Sequence, residues 1–172
     1  MKNLPQNIER VDNMNVFSQL LNHVLRFVIQ LFKRVPTLYF SKKICRASDG
    51  SLWVKLVNRS RVIGKHLEFE LCVVTARNGV EQATRLVMPN PLILEIAPYD
   101  PNDTTDSYAI RFVLPKDLER HWINDNVSFL RLKVNVFNND QAKSKLYEKI
   151  YRYKSAIVTG RFETGLSTRI VK

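Results

Sequence analysis

Residues 37–71 read TLYFSKKICRASDGSLWVKLVNRSRVIGKHLEFEL. Two runs in this stretch alternate: Ser51–Asn58 sets Leu52, Val54 and Leu56 against Trp53 and Lys55, and His66–Thr75 sets Leu67, Phe69, Leu71 and Val73 against Glu68, Glu70 and Cys72. A period of two is that of a β-strand, so the first set of each run is expected in a core and the second toward solvent or a partner. Working outward, the chain reads as β from Thr37 onward. Further strands are expected at Thr84–Met88, Leu92–Ile96, Tyr108–Val113, Val127–Phe137, Lys145–Lys154, Ala156–Glu163 and Thr168–Val171. Turn signals separate them at Asp49-Gly50, Asn78-Gly79, Pro89-Asn90-Pro91 and Asn138-Asn139-Asp140. Many short strands at this spacing predict an all-β, antiparallel sandwich. Two stretches break the pattern: the polar run from Pro98 to Ser107 predicts an exposed loop, and Pro115-Lys116-Asp117-Leu118-Glu119-Arg120 predicts one helical turn begun by proline.

The only long helical pattern lies before this region. Phe17, Leu20, Leu21, Val24, Leu25, Val28, Leu31 and Phe32 recur at three- and four-residue steps, with Gln19, Asn22, His23, Arg26, Gln30 and Lys33 between them. A membrane-spanning helix needs about 20 mostly apolar residues. Asn22, His23 and Arg26 interrupt this run at its middle, so it is expected to lie on a membrane or pack against a partner, a copy of itself or the sheet. Met1 to Met14 is polar and shows no secretory leader pattern. The expected division is a flexible N-terminus over 1–15, an amphipathic helix and basic tether over 16–36, and a β-sandwich over 37–172.

The chain has 172 residues, 45% of them hydrophobic. A domain of that size buries roughly 70% of its unfolded surface, enough for one real core. The formal charge of +11 implies a field attractive to anionic lipid, nucleic acid or an acidic protein, or simply a solubilising surface. Cys45 and Cys72 are the only cysteines, too few for a disulfide framework or a zinc site, and both fall in strand-like runs where an inert buried thiol in a reducing compartment is expected. Catalytic chemistry finds no motif: Asp100, Asp103 and Asp106 lack the calcium-loop pattern, His23, His66 and His121 lack metal-ligand spacing, and no nucleophile elbow or phosphate loop is present. Neither an enzyme, a cofactor nor a metal is expected.

Several of these segments carry a resemblance. Thr37-Leu38-Tyr39-Phe40-Ser41 after a basic tether, the Asp49-Gly50 turn, Asn58 at a strand end and His66–Leu71 resemble the segment that opens the cytoplasmic domain of inward-rectifier potassium channels. Tyr151 to Phe162 is similar to that family's Tyr…Ile-x-Trp-Gly-x-x-Phe strand pair, and Asp117-Leu118-Glu119 to the acidic turn before its long central strand. The departures are specific. Thr159 stands in place of the Trp, one residue is missing between Gly160 and Phe162, the Ser-Pro-Leu segment is absent, and the last strand stops early at Lys172. No Thr-x-Gly-Tyr-Gly or Thr-x-Gly-Phe-Gly filter occurs, so this chain alone is not expected to conduct ions.

The resemblance implies an immunoglobulin-like sandwich, a homotetramer around a central opening, and a non-enzymatic, ligand-sensing regulatory role beside a membrane-protein partner at the inner face of the membrane. It also implies anionic-lipid binding at the junction of helix and sandwich, where Lys33 and Arg34 match the tether and Lys42 and Lys43 follow the first strand. Four such charges near an anionic surface contribute about 1 kcal/mol each. A structural or assembly subunit is the alternative. A third reading, single-stranded nucleic-acid binding, would use Lys143, Lys145, Lys149, Arg152 and Lys154 interleaved with Tyr147, Tyr151 and Tyr153; in a half-buried strand the same spacing is ordinary, so nucleic acid is the least expected partner.

Overall fold

A computed structural model describes residues 35–122, 128–138, 143–152 and 154–172, the side chains of Asn138 and Lys143 excepted. All of them belong to one unit, Val35–Lys172. The expected N-terminal tail and helix, with Lys33 and Arg34, lie outside the described residues.

The unit is mostly β. Its strands are β1 (Leu38–Phe40), β2 (Ile44–Arg46), β3 (Leu52–Asn58), β4 (Gly64–Arg77), β5 (Val80–Leu86), β6 (Leu92–Ile96), β7 (Ala109–Val113), β8 (Ser128–Asn138), β9 (Lys143–Tyr151), β10 (Ile157–Thr159), β11 (Arg161–Phe162) and β12 (Ile170–Val171), with one short helix, α1 (Leu118–His121). In the first sheet β3 pairs antiparallel with β7 along one edge and with β1 and then β2 along the other, and β10 joins β2 in parallel. In the second, β4 pairs with β8 along one edge and with β6 and then β5 along the other, and β9 closes the outside of β8. A two-stranded piece, β11–β12, ends the chain.

Alternation on β3 and β4 sets the core. Leu52, Val54 and Leu56 of the first sheet and Leu67, Phe69, Leu71 and Val73 of the second fall in one buried cluster with Leu130, Leu132, Val134 and Trp122. The Phe69 and Phe112 rings meet across the sheets at 4.6 Å between centroids, tilted by 50°. On the opposite face of β4, Cys72 and Val74 form a smaller buried cluster with Phe129, so Cys72 is not the solvent-facing residue that alternation alone predicts. Both cysteines are free and buried.

Local chemistry explains the joints. The Asn78-Gly79 turn takes positive φ at both residues, 51° and 78°, and links Arg77 to Val80 as a two-residue hairpin whose twist matches the strands. Ser41 sits at the break between β1 and β2: its hydroxyl donates to the Lys43 carbonyl and accepts the Lys55 amide, and its own carbonyl accepts the buried Tyr151 hydroxyl at 2.9 Å. Asn58, fully buried, donates to the Val62 and Ala97 carbonyls and accepts from the Ser60 amide and hydroxyl, which satisfies its amide and folds the loop after β3.

Several further expectations are corrected. Lys55 is fully buried rather than turned to solvent. Ala156–Glu163 is not one strand but a 3-10 turn (Lys154–Ala156), β10 and β11, broken at Gly160. β2, around Cys45, is a separate short strand that was given no bounds, and β5 spans Val80–Leu86 instead of Thr84–Met88.

Candidate ligand-binding cleft

The outer face of β3 carries Trp53 and Lys55, flanked in the ladder by Cys45 of β2 and by Arg111 and Val113 of β7. The end of the chain reaches this face through β10. At its exit the Gly160 amide donates to the Arg46 carbonyl, and the Cys45 thiol donates to the Gly160 carbonyl at 3.0 Å. Burial pushes the Cys45 thiol pKa up, which keeps it the protonated donor this contact needs. Gly160 has φ of +151°, and a Cβ there would run into the Val171 carbonyl and come within 2.9 Å of Ile170, so the turn from β10 into β11 is possible only without a side chain.

Lys55 fixes the next segment. Its ammonium donates to the carbonyls of Glu163 at 2.7 Å, Gly165 at 2.7 Å and Ser167 at 2.8 Å, using all three of its donors on backbone. Burial pushes its pKa down, and Arg111 across the ladder adds to that; Asp106 and Glu163 oppose it. Asp106 holds the same loop from the other side, accepting the Gly165 amide on both carboxylate oxygens at 2.9 Å, with the Tyr108 hydroxyl at 3.2 Å and Arg111 at 3.8 Å.

Between the sheet face and this pinned segment lies a cleft of about 910 Å³, lined by Cys45, Ala47, Trp53, Arg111, Gly160, Arg161, Phe162, Glu163, Thr164 and Val171. That is within the size range of small-molecule sites. Its floor and walls are apolar and aromatic, while its charged groups are two guanidiniums and one carboxylate. The carboxylate is already engaged: Glu163 accepts the Ser167 hydroxyl at 2.5 Å and lies 4.0 Å from Arg169. Arg161 is exposed and makes no ion pair among the described residues.

The sequence-derived sites are arranged differently. Lys42 and Lys43 are both exposed in the turn between β1 and β2, and Lys43 donates to the Ser155 carbonyl at 3.2 Å. On β9 the tyrosines turn inward: Tyr151 is buried, Tyr147 donates to the Pro36 carbonyl, and the ammonium groups of Lys145 and Lys149 lie over the Tyr147 and Tyr151 rings at 4.7 and 5.7 Å. Their hydroxyls are spent on backbone, and the Tyr151 ring has no face to offer a base. Lys143 (as a side chain) and Tyr153 lie outside the described residues. No cluster of three potential metal ligands occurs among the described residues, and no described helix is long and apolar enough to cross a membrane. Sequence reasoning missed the cleft because its lining comes from separate stretches of the chain, β2–β3, β7 and the segment after Gly160; the lysine at an alternate position of β3 was its one local signal.

The chain matches neither a protein-family model nor any curated protein sequence.

Proposed function

We propose that this chain is a non-enzymatic, ligand-sensing regulatory module of the kind found as the cytoplasmic domain of inward-rectifier potassium channels, without a pore of its own. The single observation that carries the sensing role is the cleft: it is built from the central strand of one sheet and from a terminal segment that Lys55 and Asp106 hold in place. A ligand seated there touches both, so binding changes how firmly the end of the chain is held to the sheet. Two sheets sharing one core are compatible with an immunoglobulin-like sandwich; Asn58 closes β3 and Gly160 turns the chain into β11. The same reading makes the protein a homotetramer at the inner, cytoplasmic face of a membrane, with Lys42 and Lys43 toward anionic lipid together with Lys33 and Arg34 of the tether.

A second reading, an assembly subunit that binds a protein partner, is favoured by β6. Leu94 is 69% exposed and Leu92 49%, and β6 pairs only with β4, leaving one backbone edge open among the described residues. The concentration dependence of particle size separates the two. A regulatory ring keeps one copy number on dilution, whereas an assembly subunit changes size with concentration or with its partner.

A further inference from the structure

The geometry points to a small, flat organic anion, an aromatic carboxylate, as the ligand of the cleft between β3, β7 and the β11–β12 segment; this rests on the ligand-sensing reading. Three observations choose that class. Trp53 and Phe162 give the cleft aromatic surface, beside Ala47, Cys45 and Val171, which offer no hydrogen bonds to a polar body apart from the thiol already given to Gly160. The charge left over is positive: Glu163 is occupied by Ser167 and Arg169, Asp106 is occupied by the Gly165 amide, the Tyr108 hydroxyl and, at 3.8 Å, Arg111, and Arg161 has no ion-pair partner among the described residues. Guanidiniums, finally, match a carboxylate with two parallel donors and also stack on flat rings, so Arg161 and Arg111 suit both ends of such a molecule. A cation meets two like charges and no free carboxylate in the cleft, and an aliphatic acid leaves the aromatic surface unused.

The test is a magnetic-resonance titration of the full chain, followed at its backbone amides, with 2-naphthoate, its neutral counterpart 2-naphthamide and cyclohexanecarboxylate. Saturable shifts from 2-naphthoate confined to the cleft lining, at residues 45–53, around Arg111, at 160–164 and at Val171, with binding about ten-fold tighter than that of the amide, are expected, as is about a ten-fold loss in Arg161→Gln that leaves amide binding unchanged. Arg161 is exposed, so this variant keeps the fold. No saturable shift, equal affinity for acid and amide, or shifts elsewhere on the chain would overturn the assignment. The cleft lies within one chain, so its result is independent of assembly: naphthoate failing on a ring of fixed copy number removes this ligand class and keeps the sensing module, and naphthoate binding to a monomer that ignores membranes keeps the ligand and removes the channel-like module.

Discussion

The Lys55 ammonium lies 2.7 Å from the carbonyl oxygen of Gly165, a contact that crosses 110 residues of sequence and ties the end of the chain to the middle of the first sheet. A buried charge is tolerated only where its donors are used, and here three carbonyls use them. The loop in turn has the Gly165 and Ser167 carbonyls aimed inward at this ammonium.

Replacing Lys55 by Met keeps the bulk and deletes the donors, which strands those carbonyls. A loss of about 2–4 kcal/mol is expected in urea unfolding, together with faster proteolysis between residues 163 and 172. A change within about 0.5 kcal/mol would show that the loop holds its place without the lysine.

Gly160→Ala tests the approach of β11 to β12. A methyl group there meets the Val171 carbonyl and Ile170, and the backbone angle is one that side chains avoid. About 2–3 kcal/mol of destabilisation is expected in thermal or urea unfolding, along with weaker protection of the amides flanking the Arg161–Val171 pair.

Acid should loosen the loop before β7. The Asp103 carboxylate accepts the Ser107 hydroxyl and amide and the Thr105 hydroxyl and amide, and these bonds, the Ser107 hydroxyl foremost, hold its pKa far below the usual carboxylate range. A lowered folded-state pKa means that its stabilising contribution is complete above the unfolded value of about 3.9 and is lost as pH falls from there toward the folded value. Protection of the Thr105 and Ser107 amides, measured against their intrinsic exchange rates, should therefore fall below about pH 4, and Asp103→Asn should show low protection already at pH 7 with no such step.

The proposed lipid attachment has its own variant. Lys42→Gln with Lys43→Gln removes two exposed charges from the turn after β1. At about 1 kcal/mol each, the pair should weaken co-sedimentation with anionic liposomes about thirty-fold and leave unfolding unchanged, because among the described residues the hydrogen bond given up is the exposed one from Lys43 to Ser155. Undiminished binding would move the lipid role elsewhere.

Several strands were legible: β3, β6 and β7 begin and end within a residue of expectation, and the alternating run in β4 only lengthens, to Gly64–Arg77. β5 was shortened because residues 80–85 are exposed throughout, so no alternation marks them. β2 has three residues after two lysines, too few for a period, and owes its existence to β3 and β10 on either side. Lys55 reads as a solvent-facing residue because its covering loop lies over a hundred residues away. For the cleft, Trp53 and Gly160 were visible as residues but not as neighbours.

Light scattering of the purified chain, with and without liposomes containing anionic lipid, measures the central claim most directly. A discrete tetramer that moves onto the liposomes, and leaves them as salt is raised, is the predicted result. A monomer at all concentrations that ignores the lipid would contradict the channel-like regulatory module and leave a β protein with a cleft.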